Sequence, residues 1–166
     1  MDRKLKNICS GIKLVLTDVD GVLTDGGMYY SKNGDTLKRF HTRDGMGVTL
    51  LRKSGIPTII ITKEKNSIIR QWSKKMNIKK LYDGIIRKEK ILDDICRING
   101  LNPNQIAYIG DDINDIELLK KVGLSATPHD GIIEAQKICK YVCKTNGGSG
   151  SFREFADLIL SYQDKS

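Results

Sequence analysis

The stretch Ile12-Lys-Leu-Val-Leu-Thr-Asp18-Val-Asp20-Gly21-Val-Leu-Thr24 places a run of apolar residues directly before two aspartates and a glycine. Apolar residues that continue without alternating mark a strand buried on both faces, as in a parallel sheet. Residues 12–16 are therefore expected to form a central strand, with Asp18 at its carboxyl edge. Two further runs share the pattern: 56–61 ends at Thr62, and 106–109 ends in Gly110-Asp111-Asp112.

Helical spacing recurs between these strands. Met46, Leu50 and Leu51 predict one helix, closed at Ser54-Gly55, and Ile68, Ile69, Trp72 and Met76 predict another over 67–76. Further helices are expected over 88–98, 113–121, 132–139 and 152–162, with short strands at 81–82, 124–126 and 140–142. Such alternation gives an α/β fold, a doubly wound parallel sheet with right-handed crossovers and ligands at the carboxyl ends of the strands.

Around Gly26 the pattern changes. Met28-Tyr29-Tyr30, a turn with Asn33-Gly34, and residues 36–40 predict a β-hairpin inserted over about 26–41. A Gly-rich tail, 146–166, opens with what reads as a flexible turn at 146–151. The whole chain, 1–166, fits one domain, with residues 1–11 as a polar lead.

The 28 basic and 20 acidic residues leave a formal charge of +8, which favours encounter with anionic ligands. The basic residues form no aromatic-laced stripe, so no nucleic-acid partner is expected. No segment approaches the roughly 20 apolar residues that span a bilayer, and none resembles a signal peptide; no membrane partner and a cytoplasmic location are expected. Cys9, Cys96, Cys139 and Cys143 show no metal-binding spacing and read as reduced structural thiols.

Asp18, Asp20, Thr62, Lys88 and Asp111 all fall at strand ends or in the loops after them, where one sheet can bring them together. Clustered carboxylates repel unless a cation or proton is shared, and oxygen-only ligands favour Mg²⁺. Lys88 and Thr62 could then hold a phosphate, Asp18 could attack phosphorus, and Asp20 could serve as acid and base. Each part alone has a plainer reading: a turn for Asp-x-Asp-Gly, a helix cap for Thr62, a solvated helix residue for Lys88, a cap for Asp112. Their conjunction in this order favours the catalytic one.

With those residues in place, Asp18-Val-Asp20-Gly21-Val-Leu-Thr24, Thr62, Lys88 and Gly110-Asp-Asp-Ile-Asn-Asp115 resemble the four motifs of the haloacid dehalogenase (HAD) superfamily of phosphatases. Phe40-His-Thr-Arg-Asp-Gly-Met-Gly47 and Gly147-Gly-Ser-Gly-Ser-Phe-Arg-Glu154 resemble its branch without a cap domain. That branch acts on 3-deoxy-manno-octulosonate (KDO) 8-phosphate or nonulosonate (KDN, sialic acid) 9-phosphates, and includes a tail found on some cytidylyltransferases. The resemblance implies Asp18 as nucleophile and Asp20 as acid/base. It implies Asp18, Asp20 (through its carbonyl) and Asp111 as Mg²⁺ ligands, with Asp112 and Asp115 behind them. It implies Thr62 and Lys88 at the phosphate, and a substrate loop over 41–45 in which Arg43, Asp44 and Gly45 meet the sugar acid. A homotetramer is implied too, with hairpins joined in a barrel and a neighbour's Gly-rich tail at each site.

Lys63-Glu64 and Trp72 stand where the octulosonate enzymes carry Gly-Arg and a further arginine. Glu64 resembles the nonulosonate members, so the expected substrate leans toward a nine-carbon acid, with the eight-carbon one close behind. Two other classes compete. A receiver-like phosphoacceptor domain combines an acidic Mg²⁺ site with Thr and Lys, but carries its acidic pair first; a weakly active assembly module is the other.

Overall fold

In the computed structural model, which describes residues 3–163, a helix α1 (Arg3–Ser10) leads into the strand β1 (Leu14–Thr17). A hairpin of β2 (Tyr29–Ser31) and β3 (Gly34–Leu37) follows, then α2 (Thr42–Lys53), β4 (Thr58–Ile61), α3 (Ser67–Lys75) and β5 (Lys80–Tyr82). The remainder is α4 (Leu92–Asn99), β6 (Ile106–Ile109), α5 (Ile116–Lys121), β7 (Leu124–Thr127), α6 (Ile133–Ile138), β8 (Tyr141–Val142) and α7 (Ser151–Leu160). Six parallel strands form one sheet in the order β5-β4-β1-β6-β7-β8. The chain runs outward from β1 to β5 and then returns to β6 on its other side. β1 and β6 therefore flank the point where the strand order reverses.

The uninterrupted apolar strands are explained by what covers them. Val15 and Ile60 face a cluster with Val48, Leu51, Ile69, Phe152 and Phe155, supplied by α2, α3 and α7. Leu14, Leu16, Ile59 and Ile61 face the opposite cluster, with Ile95 and Leu118 from α4 and α5. Each such side chain, fully buried, contributes about 1.5–3 kcal/mol. Both faces need apolar residues, so no alternation survives in the sequence.

Several local expectations change. The supposed polar lead is helical, because Leu5, Ile8 and Cys9 give it one apolar side packed on the first cluster. Residues Lys88–Ile91 and Ile113–Asp115 form 3-10 turns, so α4 and α5 begin later than their spacing suggests. The expected loop 41–45 is the start of a helix: His41 caps α2, its Nδ1 accepting the Arg43 amide at 3.2 Å.

The Gly-rich turn is also seated rather than loose. A Cβ on Gly147 would lie 1.9 Å from the Gly21 carbonyl, and the Gly148 amide donates to the Val22 carbonyl at 2.9 Å. In this chain the turn thus lies against its own loop after β1. At the hairpin, the base is closed by a bridge between Thr24 and Phe40, while Met28, Tyr30 and Leu37 stay exposed.

Candidate active site

The ends of the central strands bring together most of the residues singled out above. The Asp18 amide donates to the Ile109 carbonyl of β6 at 3.0 Å, which fixes the first carboxylate at the reversal point of the sheet. Thr62 is buried at the end of β4, with its amide bonded to the Tyr82 carbonyl at 2.9 Å and its hydroxyl accepting the Glu64 amide at 3.2 Å. It does not cap α3, since Asn66 does so. Asp18, Asp20, Thr62, Glu64 and Asp112 line one cavity of about 180 Å³.

Lys88 lies behind Asp18. Its side chain is wholly buried, and its Nζ donates to Asp18 Oδ1 at 2.8 Å and to Asp115 Oδ1 at 2.6 Å. The reading of a solvated helix lysine is thereby set aside. Tyr108 completes the cluster, its hydroxyl donating to Asp115 Oδ1 at 2.5 Å and lying 3.3 Å from Nζ. The other oxygen of Asp115 accepts the amides of Asp111 and Asp112 at 2.9 and 3.2 Å. Burial works against the charge on Lys88, but Asp18 and Asp115 outweigh it and hold the ammonium above its ordinary pKa.

The carboxylates crowd one another. Burial pushes Asp18 up to about 7, with Lys88 opposing and Asp115 adding to the rise. Asp111 is pushed up to about 8 by burial first, then by Asp18 and Asp115. A cation would relieve both.

Oxygens of Asp18, Asp111 and Asp115 lie within 4.8 Å of one another. The third carboxylate grouped here is Asp115; Asp20 is expected to contribute its backbone carbonyl, and its side chain lies outside the group. Asp115 has both oxygens engaged by the protein, whereas buried Asp111 Oδ1 has no partner among the described residues. Asp18 and Asp111 are the carboxylates available to a hard divalent ion, and such all-oxygen donors fit Mg²⁺. Gly21 makes room for this: it sits at φ +90°, and a Cβ there would lie 2.0 Å from Asp111 Oδ2.

Asp20 turns toward the hairpin. Its Oδ1 accepts Lys38 Nζ at 2.8 Å and Thr24 Oγ1 at 3.1 Å. Glu64 reaches the same side, lining an adjoining cavity of about 170 Å³ with Asp20, Tyr30, Asp35 and Lys38.

The residues expected in the substrate loop are not brought to this cavity. Arg43 borders another, beside Thr145, Ser149 and Gly150. Asp44 is fully buried, and its Oδ1 accepts the Arg153 amide at 2.9 Å, so it serves the first turn of α7. Burial raises its pKa to about 6. A Cβ on Gly45 would lie 2.8 Å from the Met76 sulfur, which places that glycine in helix packing. Trp72 stacks on Phe40 at 4.6 Å and borders a third cavity with His41 and Met76.

Lys38 was not anticipated, although its position held a signal. Lys38 directly follows β3 and stands two residues before Phe40, which closes the hairpin base. Tyr108 is likewise the one polar tip in the third apolar run.

Known proteins match this arrangement. Residues 56–153 match the family of haloacid dehalogenase-like hydrolases. The 3-deoxy-D-manno-octulosonate 8-phosphate phosphatase of Haemophilus influenzae is 39% identical over 166 residues, covering 100% of this chain and 90% of that one. The solved cobalt-bound form of the Haemophilus influenzae phosphatase superposes with a TM-score of 0.90 at 38% identity, over 97% of this chain and 92% of that one. The Moraxella catarrhalis phosphatase, solved with magnesium ion, phosphate ion and KDO, gives 0.94 at 30% identity over 98% and 94% of the two chains.

Proposed function

The chain belongs to the haloacid dehalogenase-like hydrolases, and from that premise we propose that it is a Mg²⁺-dependent phosphatase of a 2-keto-3-deoxy sugar acid, with 3-deoxy-D-manno-octulosonate 8-phosphate as first substrate. The observation that carries this reading is the buried contact of Lys88 with Asp18 at the end of β1, where Asp18 lines one small cavity together with Thr62. That cavity, about 180 Å³, is small beside the roughly 300–1,000 Å³ of a pocket for a whole drug-sized ligand. It suits a phosphoryl group, with the sugar lying outside.

Mg²⁺ held by Asp18, Asp111 and the Asp20 carbonyl would supply positive charge against the phosphoryl oxygens. Thr62 donates to the phosphate through its hydroxyl. Lys88 donates too, in exchange for its longest contact, the 3.3 Å one to Tyr108. The Asp18 carboxylate attacks phosphorus, the bond to the sugar oxygen breaks, and that oxygen takes a proton from Asp20. Water then gives its proton to Asp20 and attacks the aspartyl phosphate, which frees phosphate and restores Asp18.

Phosphate release with Mg²⁺, measured across octulosonate 8-phosphate, KDN 9-phosphate and N-acylneuraminate 9-phosphate, tests the reading. Asp18→Asn is expected to abolish release and keep the fold. Release from none of the substrates, or near wild-type rates in Asp18→Asn, sinks it. A nine-carbon substrate is the second reading, favoured by the acidic Glu64 on the cavity wall. Persistence of an aspartyl phosphate after acetyl phosphate would instead favour a receiver.

The exposed Met28, Tyr30 and Leu37 make the hairpin the natural contact of a homotetramer, which sedimentation velocity checks. In such an assembly a neighbour's tail at the cavity would have to present something other than the Gly-rich turn, which here fills a place beside Gly21 and Val22.

A further inference from the structure

We infer that Lys38, on the second arm of the hairpin, is a positioning residue that decides which oxygen of Asp20 handles the proton. The inference rests on the acid/base role proposed for Asp20.

The Lys38 side chain is only 4% exposed although it comes from an inserted hairpin. Its Nζ lies 2.8 Å from Asp20 Oδ1 and 3.2 Å from Asp35 Oδ2. Thr24 Oγ1 adds a second donor to the same Asp20 oxygen at 3.1 Å. The other oxygen, Oδ2, is buried and has no partner among the described residues. A carboxylate oxygen that already accepts an ammonium and a hydroxyl is a poor place for a proton, and one with no donor is a good one. Rotation about the Cβ–Cγ bond would exchange the two oxygens, and the Lys38 and Thr24 contacts oppose it.

Lys38 is itself held. Asp35 draws it from within the hairpin, and the base of the insertion is tied down on either side of it. Phe40 bridges to Thr24, and Arg39 Nη1 contacts Asp25 Oδ2 at 3.3 Å and the Gly148 carbonyl at 3.2 Å. The insertion thus lends a cation to the site inside a single chain.

In the first half-reaction the electron pair of the breaking P–O bond stays on the sugar oxygen while Oδ2 delivers its proton there. In the second, Oδ2 receives the proton of the attacking water. An alkyl leaving group needs that proton, and a 4-nitrophenolate hardly does. A residue that only stiffens the hairpin would slow both esters alike.

The experiment compares kcat/KM, which reports the first half-reaction alone, for a sugar-acid phosphate and for 4-nitrophenyl phosphate in wild type, Asp20→Asn, Lys38→Met and Lys38→Arg. General acid catalysis is worth about 10²–10⁴-fold, so Lys38→Met is expected to lose on the order of 10-fold or more on the alkyl ester and less than about 3-fold on the aryl ester. Lys38→Arg should recover part of the difference. Asp20→Asn sets the scale: if it does not discriminate between the esters, the acid/base role of Asp20 fails and takes the inference with it, whereas if wild type hydrolyses neither, the phosphatase reading itself fails. If Asp20→Asn discriminates and Lys38→Met does not, the inference alone is overturned. Should Lys38→Met not fold, Thr24→Val, which removes the other donor to Oδ1, is judged by the same ratio, and an unchanged ratio overturns the inference.

Discussion

Lys88 and Asp115 meet at 2.6 Å with neither side chain exposed to solvent. Removing two charges from water costs several kcal/mol each, so such a pair persists only when every other polar atom is satisfied. Tyr108 and the amides of Asp111 and Asp112 supply those bonds. Asp115 therefore belongs to the architecture that aims Lys88 at Asp18.

Asp115→Ala leaves Lys88 with one carboxylate, and the amides of Asp111 and Asp112 without the oxygen they donate to. Loss of one member of a buried pair costs about 3–5 kcal/mol. Urea unfolding should show that loss, with phosphate release abolished in whatever fraction folds. A change below about 1 kcal/mol, the range of exposed pairs, would contradict the buried pairing.

In metal-free protein the raised Asp18 and Asp111 make stability fall with pH. Their folded pKa values of about 7 and 8 exceed the roughly 4 of an unfolded aspartate, so the folded state holds more protons across that interval. Their contribution is complete below about pH 4 and is lost as pH rises through 7 and 8. Mg²⁺ reverses the trend by taking the place of those protons. Melting temperatures in EDTA and in Mg²⁺ from pH 5 to 8 check this; a Mg²⁺ shift that shrinks as pH rises would speak against it.

Asp44→Ala separates a helix-capping role from a substrate-binding one. Loss of the acceptor for the Arg153 amide should lower stability by about 1–2 kcal/mol, as other lost N-terminal acceptors do. KM should hold. Arg43→Ala, by contrast, should leave stability within about 0.5 kcal/mol, as surface changes usually do, and its KM reports whether the sugar carboxylate reaches the cavity it borders.

Gly21→Ala combines an unfavourable backbone with a collision. At φ +90° a side chain costs about 1–3 kcal/mol, and the new Cβ would fall 2.0 Å from Asp111 Oδ2. Asp111 must move. The variant should need more Mg²⁺ for half-maximal rate, by about tenfold or more if displacement costs 1.4 kcal/mol of binding. An unchanged Mg²⁺ requirement would remove Asp111 from the proposed ligand set.

The sheet was legible because it is covered on both faces, so β1, β4 and β6 had to be apolar throughout. Helix α1 was not: its outward side is basic, and Leu5, Ile8 and Cys9 alone carry its inward side. Asp18, Thr62 and Lys88 could be read because each sits at a strand end or soon after one in the chain. The helix contacts of Asp44 and Trp72 were not legible, since a motif locates residues along the chain and does not say which way a helix turns them. Lys38 stayed hidden because its partner is 18 positions earlier, across a hairpin whose register only folding reveals.

Ser151 Oγ donates to the Val22 carbonyl at 3.3 Å across a separation of 129 residues, and Gly147 and Gly148 lie against the same loop. Until residues 147–151 are in place, that loop lacks the contacts of Gly147, Gly148 and Ser151. Core strands β1, β4 and β6 can pair before then. The loop after β1 is thus finished by a segment 129 positions further along the chain, so its order reports long-range closure of the fold and not local sequence alone.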